Sequence, residues 1–416
     1  MQKRLITLTA ASPDEVEGTL LPALTAALNG GPAVAALPSD RAERDRALTA
    51  IRPDQRLEHS DEEIALVVPT SGSTGEPKAA LLSARALRAS ATATHDFLGG
   101  PGQWLLALPA THIAGLQVLI RATLAGTSPV LLDLREGFHV SHLAESLATM
   151  RSGRRYVSLV PTQLRRVLDA GGPATEALSE VDAVLLGGAA APIALREQAA
   201  DAGIPVVTTY GMTETCGGCV YDGQPLTDVD IDLAPSGRIS VGGPVLFSGY
   251  RLRPDLTAEV LVGGRFRTSD VGQWSATGGL EVIGRADDVI ITGGVNVAPA
   301  AVEAALASCP GVSESAVTGV SHPEWGQVVN RRSHPTRRRA DPDAGIRTHT
   351  RKRASRPTRG TSRDRRRTRT SPPTIGKNRP PSDRRHRRRA GPKSRLLTNH
   401  LRPARCTIGF RLCSST

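Results

Sequence analysis

Nine consecutive residues, Thr70-Ser71-Gly72-Ser73-Thr74-Gly75-Glu76-Pro77-Lys78, gather several kinds of phosphate-binding group in one loop. Gly72 and Gly75 let the backbone adopt conformations other residues resist and approach a ligand closely. Successive backbone N–H groups can then cradle phosphate oxygens. Ser71, Ser73 and Thr74 add hydroxyl donors, and Lys78 adds a positive charge. The G-x-x-x-x-G-K-[ST] loop of nucleoside triphosphatases is absent, and Pro77 precedes the lysine. The bland alternative is a polar turn, which nine residues of this composition between a strand and a helix argue against. Cys216 and Cys219 form a C-x-x-C pair. No second pair or histidine cluster stands beside it, so a four-ligand zinc site is unsupported and two small residues in a Gly-rich strand is the better reading.

The elements around the loop alternate between short β-rich runs and helical stretches. Residues 64–68 form an apolar strand, and residues 83–97 read as a helix with Ser83 as N-cap. Strands are expected at 104–108, 130–132, 156–160, 183–186 and 206–209. Helices are expected between them at 116–124, 162–168 and 192–202, the last with Pro192 near its first position. This alternation predicts an α/β domain with a largely parallel sheet. Residues 222–283 are richer in glycine, with short strands at 238–241, 259–262 and 280–283, and read as a mainly β subdomain. A strand at 289–292, a Gly293-Gly294 turn, a helix at 299–307 and a strand at 314–319 begin a small α+β unit.

Charge divides the chain in two. Residues 331–416 hold 28 Lys and Arg against 4 Asp and Glu, whereas residues 1–330 hold 24 against 36. The body is an ordinary acidic globular sequence, 39% of the whole chain is hydrophobic, and no apolar run approaches the ~18–20 residues that span a bilayer. Asp14, Glu15 and Glu17 follow the apolar start at once, so a cytoplasmic protein is expected rather than a secreted one. The Arg/Pro/Thr-rich tail cannot bury enough apolar surface to offset its chain entropy and is expected to be disordered. A nucleic-acid-binding arm and a plain linker compete as explanations. A shifted reading frame is favoured, because the change falls abruptly inside the strand pattern Gln327-Val328-Val329. The domain boundaries are therefore 1–283, 284–329 and 330–416.

The loop at 70–78 resembles the phosphate-binding loop of the acyl-CoA synthetase, adenylation-domain and luciferase superfamily. Four further segments match that family in its order. Tyr210-Gly211-Met212-Thr213-Glu214-Thr215 resembles its Y-G-x-T-E motif, and Thr268-Ser269-Asp270 its ribose-binding T-x-D. Gly284-Arg285-Ala286-Asp287-Asp288 resembles its hinge, and Gly187-Gly188-Ala189-Ala190 the segment lining the adenine site. The resemblance spans about residues 60–329. It implies a large adenylate-forming N-terminal domain of βαβ sheets with a small β subdomain, a truncated α+β C-terminal domain, and a disordered Arg-rich tail. It also implies ATP, Mg²⁺ and CoA as cofactors and co-substrates. Thr70, Ser71, Gly72, Ser73, Thr74, Gly75, Gly188, Ala189, Tyr210, Gly211, Asp270 and Arg285 would hold the nucleotide, and Lys78, Thr213, Glu214 and His112 would serve catalysis. Each role makes chemical sense. Glu214 is a hard oxygen ligand for Mg²⁺, Thr213 can donate to the α-phosphate, Asp270 can accept from ribose hydroxyls, and Arg285 can stabilise negative charge.

Within the superfamily, Thr111-His112-Ile113-Ala114-Gly115-Leu116 and Ser158-Leu159-Val160-Pro161-Thr162-Gln163-Leu164 look like the short actinobacterial o-succinylbenzoate–CoA ligases of menaquinone biosynthesis. The resemblance implies that 210–218 lines the acyl pocket and that a cation or hydroxyl, left unassigned, meets a dicarboxylate. Two departures stand out. Ala79 replaces the usual glycine after the loop lysine, and the C-terminal domain stops before its catalytic lysine; Lys377 lies in a context that cannot supply it. This polypeptide is therefore expected to bind ATP weakly, adenylate poorly and fail to form the thioester. The alternatives are a stand-alone adenylation domain that loads a carrier protein and, lowest, a nucleic-acid-binding protein. The expected partners are a small-molecule acid, ATP and CoA, with a homodimer as a further candidate, and neither membrane nor nucleic acid.

Overall fold

The computed structural model describes residues 4–57, 64–71, 77–151, 153–297, 299–307 and 312–335. The described residues all fall within one compact unit, residues 1–340. The tail beyond 335, on which the disorder and frameshift expectations fall, lies outside the described residues.

Two sheets organise the first 260 residues. The first runs Leu5–Thr9, Ala33–Leu37, Ile64–Ser71, Pro77–Ser83, Gly249–Tyr250 in spatial order. Its first three strands are parallel and its last two join antiparallel. The apolar start at Leu5–Thr9 is an edge strand of this sheet. The second sheet has seven strands, and its middle is parallel: Val206–Met212, Ala183–Leu186, Arg155–Leu159, Gln103–Leu106, Val130–Leu131. Three of them, Ala183–Leu186, Arg155–Leu159 and Gln103–Leu106, are almost wholly buried, as continuous apolar runs in a sheet covered on both faces must be. The helices Ala84–Phe97 and Ile113–Ala125 share one core with both sheets, in which Leu66, Leu82, Leu87, Leu116, Trp104 and Tyr156 are fully buried. Ile113–Ala125 buries nine of its residues, which explains its nearly uninterrupted apolar sequence.

A third, antiparallel sheet is built from Asp230–Leu233, Arg238–Gly242, Leu261–Val262, Arg265–Trp274 and Leu280–Arg285. A fourth holds Ile290–Thr292, Val295–Val297, Val312–His322 and Gly326–Pro335 beside the helix Pro299–Ala307. The architecture is the α/β body with a β subdomain and a small α+β unit that the sequence pattern predicts.

Four local expectations change. Pro77–Ser83 is a strand, so the phosphate loop is the tip of an antiparallel hairpin and the helix follows only after the second strand. The apolar run after Lys78 pairs with Ile64–Ser71 before Ser83 can start the helix; its Oγ then accepts from Ala86 N at 3.1 Å. Val206–Met212 continues three residues beyond 209, because Tyr210 and Gly211 pair with Val220 and Gly218 of the next strand. Glu259 and Val260 belong to the helix Pro254–Val260, started by a proline at its first turn, and only Leu261–Val262 is strand. The strand expected to break off after Val329 runs to Pro335, paired with Val312–His322. Among the described residues, no helix is long and apolar enough to cross a membrane.

Candidate active site

The hairpin places Thr70 directly opposite Lys78. The Thr70 hydroxyl is buried and, among the described residues, has no hydrogen-bond partner. Gly72, Ser73, Thr74 and Gly75, expected to hold phosphate, lie outside the described residues, as does the side chain of Ser71. Lys78 reaches instead to a residue the sequence reading missed. Its Nζ donates to the hydroxyl of Tyr250 at 2.8 Å, and Tyr250 donates to Glu214 Oε1 at 2.6 Å. Lys78 Nζ and Glu214 Oε1 stand 3.9 Å apart. Tyr250 arrives through the two-residue strand that pairs with Ala80 and Leu81. Its neighbour Arg251 anchors that strand by donating to the carbonyls of Ile51, Arg52 and Gln55. Phe247 N also donates to the Glu214 carbonyl at 2.9 Å, tying both partners to one segment.

Electrostatics follow from this packing. Burial pushes Lys78 below the ordinary lysine range; Glu214 opposes the shift, and Arg285 and Arg253 add to it. Burial and Glu214 push the Tyr250 phenol up, so it remains a donor. Several cations thus converge where the phosphate loop begins, a field that attracts a polyanion. Glu214 is buried and offers a carboxylate, the hard oxygen donor that Mg²⁺ takes. Among the described residues no cluster of three or more His, Cys, Asp or Glu could hold a metal by itself. That fits Mg²⁺ bound through one carboxylate together with substrate phosphates and water.

On the ribose side, Asp270 and Arg285 are cross-strand partners. Tyr210 donates to Asp270 Oδ2 at 2.8 Å, and burial together with Asp270 raises its phenol pKa. Thr268 Oγ1 accepts from Asp270 N at 2.9 Å and donates to Ile239 O at 2.9 Å, so the threonine of T-x-D holds the turn. The Arg285 guanidinium is paired with Asp287 at 3.2 Å and Asp288 at 3.8 Å. The presumed hinge residue Asp287 therefore sits exposed in the short turn Ala286–Asp288, held by Arg285.

The motif Tyr210 to Thr215 divides between two tasks. Thr213 and Glu214 lie in a short turn, Thr213–Thr215, whose Glu214 meets Tyr250 and Lys78. Gly211, Gly217 and Gly218 line a separate cavity of about 360 Å³, together with His112 and Gly188. Gly211 must be glycine: a Cβ there would stand 2.0 Å from the Gly217 carbonyl oxygen. Ala189 is exposed in the bend beside Gly188. His112 precedes the helix Ile113–Ala125, is exposed, and sits 3.2 Å from the Thr111 hydroxyl through Nδ1. The cavity's size suits a small ligand.

The far wall of this cavity carries Arg121, which sequence reasoning also missed because it sits inside an apolar helix. Arg121 is 3% exposed. Its Nη2 donates to Tyr221 OH at 3.2 Å, its guanidinium lies 5.0 Å over the Trp104 ring centroid, and its Nε has no partner among the described residues. No carboxylate pairs with it among the described residues; burial lowers its pKa, and only Tyr221 opposes. His95, which accepts from the Trp104 indole at 3.2 Å, is held neutral by burial and Arg121, with its pKa lowered to about 4. Cys216 and Cys219 are buried, and burial pushes the Cys219 thiol up to about 12, so the pair is packing rather than chemistry.

Comparison with known proteins agrees with this geometry. The model of the AMP-binding enzyme family matches residues 5–264, and that of the AMP-binding enzyme C-terminal domain matches residues 301–331. The chain belongs to the AMP-binding enzyme family. A probable 2-succinylbenzoate–CoA ligase of Mycobacterium tuberculosis is 49% identical over 315 residues, covering 74% of this chain and 80% of the relative. An o-succinylbenzoate CoA synthetase from Bacillus subtilis, solved with its acyl-adenylate intermediate, superposes with TM-score 0.63 at 26% identity, covering 80% of this chain and 78% of that one. The same synthetase with ATP and magnesium gives TM-score 0.62 at 26% identity, over 80% and 79%.

Proposed function

We propose that this protein activates 2-succinylbenzoate with Mg-ATP as an acyl-adenylate and passes the acyl group to CoA, as a cytoplasmic step of menaquinone biosynthesis. Its relatives' names supply the candidate acid, and one observation on this chain favours it. Arg121 is a buried guanidinium without an anion, on the wall of the cavity beside the Thr213–Thr215 turn. An acid that presents one carboxylate to ATP needs a second one to neutralise such a charge, because a buried cation is tolerated only when paired. A dicarboxylate meets that need.

In the first half-reaction a carboxylate oxygen of the acid attacks the α-phosphorus, and the bond to pyrophosphate breaks. Lys78 and the loop hydroxyls would neutralise the departing pyrophosphate. Glu214 would hold Mg²⁺, which supplies charge neutralisation at the phosphates when bound. Asp270 would accept from the ribose through the oxygen that Tyr210 leaves free. In the second half-reaction the CoA sulfur attacks the acyl carbon, its proton is released, and AMP leaves. Positioning and charge neutralisation carry the rate.

Pyrophosphate release with Mg-ATP and a panel of acids, with and without CoA, tests this reading. The expected result is pyrophosphate release with 2-succinylbenzoate and formation of acyl-AMP that is converted to the thioester when CoA is added. Comparable release with monocarboxylates of similar size overturns the dicarboxylate assignment. An acyl product on a carrier protein instead of CoA overturns the acceptor. Sedimentation checks the homodimer.

A further inference from the structure

We infer that Tyr221 is a specificity-determining positioning residue: a directed chain of hydroxyl hydrogen bonds through Tyr221 and Thr94 fixes the orientation of the Arg121 guanidinium in the acyl cavity. The inference rests on the reading of Arg121 as the partner of a second carboxylate.

The direction of the chain is set by counting hydrogens. Thr94 Oγ1 lies 2.9 Å from Ser90 O, one turn earlier in the helix Ala84–Phe97. A carbonyl only accepts, so the single hydroxyl hydrogen of Thr94 is committed there. The 3.0 Å contact between Thr94 Oγ1 and Tyr221 OH must then use the tyrosine's hydrogen. A lone pair of the Tyr221 oxygen is left for Arg121 Nη2 at 3.2 Å. All four groups are buried, so water does not compete for these bonds. The order is Arg121 to Tyr221 to Thr94 to the Ser90 carbonyl, with no reversal available at any step.

Two further contacts restrict the same guanidinium. Trp104 lies under it, and the Trp104 indole is itself held by donation to His95. Tyr221 is packed edge-on against Phe97, with ring centroids 5.3 Å apart. The guanidinium plane is thereby fixed by stacking and its rotation within the plane by Tyr221. Because the fork of an arginine recognises a carboxylate through a fixed geometry, losing the Tyr221 acceptor frees that rotation while keeping the charge. The effect should fall on acids that use the second carboxylate and spare those that lack it.

Direct binding separates the possibilities and does not require turnover. The full chain is titrated by calorimetry, in the presence of AMP, with 2-succinylbenzoate and with the two monocarboxylates made by deleting one carboxyl group or the other. Tyr221→Phe keeps the ring packing and is expected to weaken 2-succinylbenzoate, and the monocarboxylate that retains the carboxylate facing Arg121, about tenfold, with the monocarboxylate that lacks it within about twofold of the parent chain. Thr94→Val is expected to give a smaller loss of the same selectivity, and Thr94→Ser, which keeps the acceptor, to restore it. Equal losses for all three acids would mean that Tyr221 only supports the fold and would overturn the inference. Unchanged 2-succinylbenzoate affinity in Tyr221→Phe, with a large loss in Arg121→Met, overturns the inference and leaves the dicarboxylate reading standing. Unchanged affinity in Arg121→Met removes the reading itself.

Discussion

Lys78 and Arg121 each donate to a tyrosine hydroxyl, at 2.8 and 3.2 Å, yet the two sites lead to opposite ends. Beyond Tyr250 stands the Glu214 carboxylate, so the charge of Lys78 is already answered within the chain. Beyond Tyr221 stands only the Thr94 hydroxyl, so the charge of Arg121 is stabilised by neutral dipoles and an indole face. The first site, half-buried and beside further cations, is arranged to exchange one anion for another when a polyphosphate arrives. The second lies on a cavity wall and, among the described residues, has no anion of its own. A binding site can therefore store charge in two ways, paired and exchangeable or unpaired and waiting, and only the second selects strongly for the charge of its ligand.

Substitutions break this comparison most sharply on the paired side. Glu214→Gln should lower acid-dependent pyrophosphate release by roughly a hundredfold or more, since the metal ligand and the counter-charge of Lys78 go together. Retained release at near-parental rates would separate Glu214 from the metal.

The neutral surroundings of Arg121 predict the next largest effect. His95 has its folded pKa lowered from 6.5 to about 4 by burial, then by Arg121. A lowered histidine contributes stability that is complete above about pH 6.5 and is lost as pH falls toward 4, because the unfolded chain takes up the proton first. The loss should be on the order of 3 kcal/mol across that window. His95→Gln, which keeps an acceptor for Trp104, should flatten the slope of denaturation midpoint against pH; an unaltered slope would assign it to other groups.

The two cations should also differ in their cost to the empty protein. Arg121→Met removes a buried unpaired charge and should raise stability without ligand by about 1–2 kcal/mol, read as a shift in urea midpoint. Lys78→Met strands Glu214 beside a tyrosine and should not stabilise. Equal shifts for both would erase the distinction between paired and unpaired storage. The smallest effect belongs to Tyr250→Phe, which leaves Lys78 and Glu214 in place without their bridge; Mg-ATP affinity should fall about tenfold, measured by equilibrium dialysis.

Local pattern determined a large part of this protein. Alternating apolar runs and caps such as Ser83 placed most strands and helices, because period and capping are properties of neighbours in the chain. The motifs at 70–78, 210–215, 268–270 and 284–288 were legible as a family resemblance for the same reason: each is contiguous and carries its own turn chemistry. Tertiary structure alone decided the hairpin at 64–83, the bridge of Tyr250 across 172 residues to Lys78, and the meeting of Arg121 with Tyr221 across 100. Tyr250 is one aromatic in a short strand, and Arg121 one cation in a helix whose other residues are core. Nothing in their neighbours reveals them, because their roles come from partners that only the packing of two sheets and two helices brings within hydrogen-bond reach.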